Sequence, residues 1–113
     1  MPQYVFDRES RTPSSEVYAI VVAGEEIGRV DLHWTAGRCD ATLCVPEHYA
    51  DEQIEELIGE IDERLVLSAD PYREDFIVTV WAGRHAGTYS EEALEAEEAL
   101  DEGEEVEGNG HRL

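Results

Sequence analysis

The sequence predicts an α+β domain in the order β-β-β-β-α-β: an antiparallel β-meander, one amphipathic helix packed on a face, a further strand after the helix, and an acidic C-terminal tail. Three observations predict it. Three short strand-like runs separated by turn signals lie between Val17 and Cys44, apolar residues recur at helical spacing between Asp51 and Val66, and an uncharged, largely apolar run extends from Phe76 to Ala82.

The first strand is expected at Tyr4 to Phe6, ahead of a polar Ser/Pro/Arg loop. The meander follows. Taking Glu25-Glu26 as its first turn sets Val21 opposite Val30, Ala19 opposite Leu32 and Val17 opposite Trp34. A four-residue loop from Thr35 to Arg38 then sets Cys39 beside Trp34, Ala41 beside Leu32 and Leu43 beside Val30. In this register one face is apolar. The opposite face collects Tyr18, Ile20 and Val22, then Arg29, Asp31 and His33, then Asp40, Thr42 and Cys44.

After Pro46, Ile54, Leu57, Ile58, Ile61 and Leu65 make one apolar stripe of a helix over Asp51 to Val66, with Asp51 as its N-cap. That stripe should cover the inner face of the meander. The run Phe76 to Ala82 is apolar on both sides, with Phe76, Val78 and Val80 alternating with Ile77, Thr79 and Trp81. Such a strand sits inside a sheet covered on each side or at a contact between molecules, and a second copy of the chain is one candidate cover.

Charge divides the chain into two parts. Residues 1–89, read as the single α+β domain, carry 18 acids and 7 arginines, a net −11; residues 90–113 carry 10 acids and 1 arginine, a net −9. The second segment lacks aromatics and has only Leu94, Leu100, Val106 and Leu113 as large aliphatics, so it reads as a disordered or marginally helical acidic tail. The whole chain, at a formal −20 with no lysine, lacks the clustered cations that hold a phosphate backbone or an anionic lipid surface. Direct nucleic-acid binding is therefore not expected.

No apolar run approaches the roughly 20 residues that span a bilayer, and the first 16 residues show no secretory pattern. A cytoplasmic protein is expected. Its two cysteines, Cys39 and Cys44, suit a reducing compartment.

His33, Cys39, Cys44 and His48 are the right types for zinc, yet two cysteines five apart on one strand point to opposite faces, roughly 16 Å apart at about 3.3 Å per residue. No metal and no disulfide is expected. His33 lies across from Asp40 and diagonal to Asp31, with Tyr18 on its other side; a small enzyme using His33 with either carboxylate is one alternative, but no nucleophile accompanies them. Gly24 and Gly28 belong to turn geometry, with no phosphate-cradling loop, and no cofactor is expected.

The polar face of the helix is the most distinctive feature, with Glu52, Glu55, Glu56, Glu60 and Glu63 at spacings of three and four and only Arg64 near them. Carboxylates four apart stand about 6 Å apart along a helix axis, close to a row of phosphates. The expected function is thus that of a small, acidic, non-enzymatic protein acting by protein–protein binding. The alternative is a nucleic-acid-mimicking inhibitor of a basic nucleic-acid-binding protein. Partner-contacting candidates are those five glutamates together with Trp81, Ile77 and Tyr18. Acidity of this kind is also the habit of proteins in a salt-rich cytoplasm, where the charge is screened.

Self-repulsion at −20 on 113 residues makes a direct prediction. The melting temperature should rise steadily from dilute buffer to molar salt; a flat profile in calorimetry would show that the carboxylates are too dispersed to matter.

Overall fold

The computed structural model describes residues 3–92. Within them the chain forms β1 (Tyr4–Thr12), β2 (Ser15–Val22), β3 (Glu25–Thr35) and β4 (Arg38–Val45), then helix α1 (Asp51–Ile61), one π-helical turn (Asp62–Val66), the short α2 (Leu67–Ala69) and β5 (Asp75–Ala82). The strands build one sheet in the order β1-β2-β3-β4-β5, antiparallel except for β5, which runs parallel to β4. This is the expected β-β-β-β-α-β order, the helix being the crossover that a parallel pair requires. Apart from residues 90–92, the acidic tail lies outside the described residues.

β1 is longer than its apolar residues suggest and reaches Thr12. Its second half projects along the sheet margin, where Asp7 to Thr12 are exposed and no apolar alternation is needed.

The first meander turn differs from expectation. The chain reverses at Ala23-Gly24, both with positive φ (54° and 82°), and Glu25 and Glu26 already belong to β3. A two-residue hairpin turn of this kind needs left-handed backbone at both positions, which glycine adopts freely and a glutamate pair does not. Tyr18 consequently pairs with Val30, where the expected register put Val21, and a bulge between Ile20 and Val21 leaves Ile27 extra. A slip of three residues is odd, so the faces exchange. Tyr18 and Ile20 are buried under the helix, and Val17, Ala19 and Val21 lie on the other side.

The second turn keeps the expected register, with Trp34 beside Cys39, Leu32 beside Ala41 and Val30 beside Leu43. It is tighter than a four-residue loop, because Thr35 and Arg38 still pair around Ala36-Gly37, again with positive φ at both (45° and 85°).

Helix α1 begins one residue earlier than expected. Ala50 is the N-cap, and its N–H donates to Gln53 Oε1 at 2.8 Å while its carbonyl accepts from Ile54 N–H at 3.0 Å. The helix then changes pitch. The fully buried residues are Leu57, Ile61 and Val66, and the step of five from Ile61 to Val66 is spanned by the π turn. Val66 therefore fills the core at the level where uninterrupted α-periodicity would have put Leu65.

The core lies between α1 and one sheet face, where Ile20, Val30, Leu32, Leu43, Val45, Leu57 and Ile61 are essentially inaccessible. Two arginines fasten the helical segment to the sheet margins. Arg64 Nη1 donates to the Tyr4 carbonyl at 2.8 Å with its guanidinium 4.6 Å above the Phe6 ring. Arg73 makes a bidentate pair with Asp62 (3.1 and 2.7 Å) and lies 5.5 Å over Phe76. No described helix is long and apolar enough to cross a membrane.

Two glycines separate close approach from mere flexibility. A Cβ at Gly28 would fall onto the Cys44 carbonyl oxygen, whereas one at Gly59, inside α1, would meet nothing. Gly28→Ala should cost about 2 kcal/mol or more through forced displacement of β4, and Gly59→Ala should add about 1 kcal/mol. Urea unfolding midpoints of the two variants check both signs.

Candidate functional site

One helix covers one face, so the second face of the sheet stands open among the described residues. Pairing across the strands sets out its rows. One row runs Asp7, Ala19, Arg29, Cys44, Trp81; the next has Val17, Asp31, Thr42, Thr79; a third has Ser15, His33, Asp40, Ile77. The β3 members are charged or polar and exposed, while the β5 flank is apolar, with Ile77 41% and Trp81 64% exposed. Val5 adds a further exposed aliphatic at the β1 margin.

β5 is an edge strand, so the expectation of a strand enclosed on both sides gives way to one half-buried against the core through Phe76, Val78 and Val80. Its Ile77 and Trp81 share the open face. Tyr18 does not join them. It is 8% exposed, lies on the helix side, and donates its hydroxyl to Glu16 at 2.6 Å; burial, then that carboxylate, raise its pKa. The register slip that moved Tyr18 inward moved Val17 and Val21 outward, and those two are the open-face residues that sequence reasoning missed.

The acidic candidates are split by the same geometry. Glu52, Glu55 and Glu63 are exposed, whereas Glu56 and Glu60 are half-buried along the flank of the helix facing β1. Glu60 is also paired with Arg64 at 3.4 Å. The π turn alters the helical phase after Asp62, which takes Glu63 out of an even row with its predecessors.

His33 does stand opposite Asp40, but its other neighbour is Ser15 in place of Tyr18. Both carboxylates are engaged elsewhere: Asp40 accepts from Arg38 Nε and Asp31 from Arg29 Nε, each at 3.2 Å. The Ser15 hydroxyl, across from His33, lies at 2.7 Å from Thr12 Oγ1. Cys39 is fully buried on the helix side and Cys44 is half-buried on the open side, so the thiols face apart as their spacing requires. Among the described residues no cluster of three metal-ligating side chains occurs.

Beyond the far end of the sheet, Arg11, Glu16, Trp34 and Asp70 line an open hollow of about 270 Å³. The Trp34 indole N–H is buried there without a protein acceptor. Glu16 is held by Arg11 at 3.6 Å and Arg8 at 3.9 Å.

No protein-family model, no curated protein and no solved structure matches this chain.

The two thiols differ in burial. Burial pushes the Cys39 thiol up to about 11 from its ordinary 9.0, which withholds the thiolate that alkylation needs. In the native protein near pH 8 an alkylating reagent should modify Cys44 alone, and both thiols should react after unfolding, as read by mass spectrometry. The raised Cys39 value also means that the folded state holds this proton more tightly than the unfolded chain, so stability should fall as pH rises from about 9 to about 11.

Proposed function

We propose that this chain is a protein-binding module of the cytoplasm with no catalysis of its own, and that its contact surface is the β5 flank of the open sheet face. The observation that carries the reading is the contrast between that exposed apolar flank and the charged centre of the same open face, Arg29, Asp31 and His33. From Phe76 to Ala82 there are seven residues without a charge, in a protein whose formal charge is −20. Ile77 and Trp81 expose about half of their surfaces there, at 41% and 64%. A large tryptophan in an exposed apolar setting is the side-chain type that most often anchors protein interfaces. Two thiols facing apart on one strand, unable to close on each other, accord with a reducing compartment.

Mimicry of nucleic acid is the second reading, and the exposed Glu52, Glu55 and Glu63 are what favour it. It draws less support because Glu60 is neutralised by Arg64 and Glu56 is half-buried, which breaks the regular spacing of charges.

Capture of partners from source-cell lysate by the tagged full chain separates the two. With Glu52, Glu56, Glu60 and Glu63 all changed to Gln, the retained partner should persist and the melt should stay level or rise, because like-charge repulsion is relieved. Trp81→Glu should weaken capture by about tenfold or more while leaving the fold intact. The opposite pattern, loss in the Gln variant with capture confined to low salt, would put the mimic ahead.

A further inference from the structure

We propose that the occupant of the free β5 edge is a second copy of this chain, paired antiparallel through β5 about a two-fold axis at Thr79. The proposal rests on the reading of the β5 flank as a protein-binding surface and names its partner.

The two margins of the sheet are built differently. At β1 the pairing shifts between Arg8 and Ser10, leaving Glu9 as a bulge, and Asp7, Arg8, Glu9 and Arg11 line the strand. Bulges and charges of this kind are how proteins prevent one sheet edge from joining another. β5 has no bulge, and its one charge is Asp75 at its start, whose carboxylate accepts from the Phe76 N–H at 2.9 Å. Phe76 to Ala82 contains no charge, proline, glycine or bulge, and its register with β4 is unbroken from Asp75 to Ala82. Among the described residues no backbone group pairs with its outer side.

Backbone direction limits what can pair. Gly83 N–H donates to the Val45 carbonyl at 2.9 Å, so by strand alternation the odd-numbered residues of β5 turn their backbone groups to β4. Phe76, Val78, Val80 and Ala82 turn theirs to the free edge. A symmetric antiparallel partner must therefore match even residues with even ones, and the two-fold axis at Thr79 does so over the whole strand. Val78 then exchanges hydrogen bonds with Val80 of the second copy, and the Phe76 carbonyl accepts from Ala82, the Phe76 N–H being held by Asp75 Oδ1. Ile77 meets Trp81 on the open face, in both directions, and Thr79 meets Thr79.

The two ends of the strand carry opposite charges. Glu74 and Asp75 precede Phe76 and Arg84 follows Gly83, so antiparallel pairing brings the acidic end of one copy to the basic end of the other, twice by symmetry; all three are exposed in the single chain. Opposite charges meet at both ends of an uncharged interface. The acidic tail is a poorer occupant, since residues 90–113 hold ten acids and Val106 as their sole β-branched residue. Such a dimer carries both helices on one side of a ten-stranded sheet and joins the two open faces on the other.

The test uses the purified full chain in molar salt. Sedimentation equilibrium should give twice 12.7 kDa, with dissociation growing as salt is lowered. At about 0.15 M salt, where charges are less screened, Arg84→Glu should weaken the dimer by about fivefold or more, and the double variant with Glu74→Arg, which keeps the net charge at −20, should restore it. In a Cys44→Ser background, Thr79→Cys should form an intermolecular disulfide on mild oxidation, since non-hydrogen-bonded antiparallel neighbours stand about 4.5 Å apart at Cα. Ile77→Cys should not cross-link to itself. Circular dichroism and the melt verify that each variant is folded.

A monomeric mass across the concentration range overturns the proposal. If that monomer still captures another protein through Trp81, the binding reading survives the loss of the dimer. A dimer that does not cross-link through Thr79→Cys, that does cross-link through Ile77→Cys, or that ignores Arg84→Glu places the contact elsewhere and overturns it as well. Dimerisation that appears only after deletion of residues 90–113 would assign the edge to the tail.

Discussion

A five-stranded sheet has two faces, and the described chain supplies one helix. Every other feature of this protein is arranged around that shortage. On the helix side the response is complete burial: Ile20, Val30, Leu32, Leu43, Leu57 and Ile61 interlock, and none of the core is polar or charged. On the other side the sheet must meet water. Its centre does so with Arg29 paired to Asp31 and Arg38 paired to Asp40, along-strand pairs that keep charged heads hydrated over small or β-branched neighbours. At β5 the second face presents its largest exposed apolar side chains, Ile77 and Trp81.

Much of this arrangement was legible in the residues, and where it was not the cause is local. The β3–β4 register could be read because Val30, Leu32 and Trp34 alternate cleanly against Leu43, Ala41 and Cys39, and a single phase buries all six together. β2 gave no such discrimination. Val17, Tyr18, Ala19, Ile20, Val21 and Val22 form a continuous apolar run, so either alternate set could serve as the core. The choice between them rests on two turn residues, Ala23 and Gly24, and on a bulge that periodicity does not report. The π turn was hidden for a similar reason. Leu65 and Val66 are adjacent aliphatics, and only the geometry of the crossover decides which one reaches the core.

The candidate surface was readable in part. Absence of charge from Phe76 to Ala82 pointed to β5, but nothing in the spacing of its side chains indicates which strands flank it. Edge position follows from the parallel crossover, a long-range property. Glu74 and Arg84 stood outside every apolar run and gained meaning only from the alignment of the strand between them.

High negative charge and an unprotected strand edge are usually treated as opposing traits, one keeping chains apart and the other drawing them together. Here they act on different length scales. At an ionic strength near 0.15 M the charge of one chain is felt over about 8 Å, and in molar salt over about 3 Å. Backbone hydrogen bonds and side-chain packing act only at contact. Repulsion between chains therefore opposes most encounters, while the eight uncharged residues from Phe76 to Gly83, between Asp75 and Arg84, form a strip where close approach carries the least electrostatic cost. In the proposed dimer the acidity of this chain would thus act as selectivity against disordered association, and it would make pairing through β5 depend on salt.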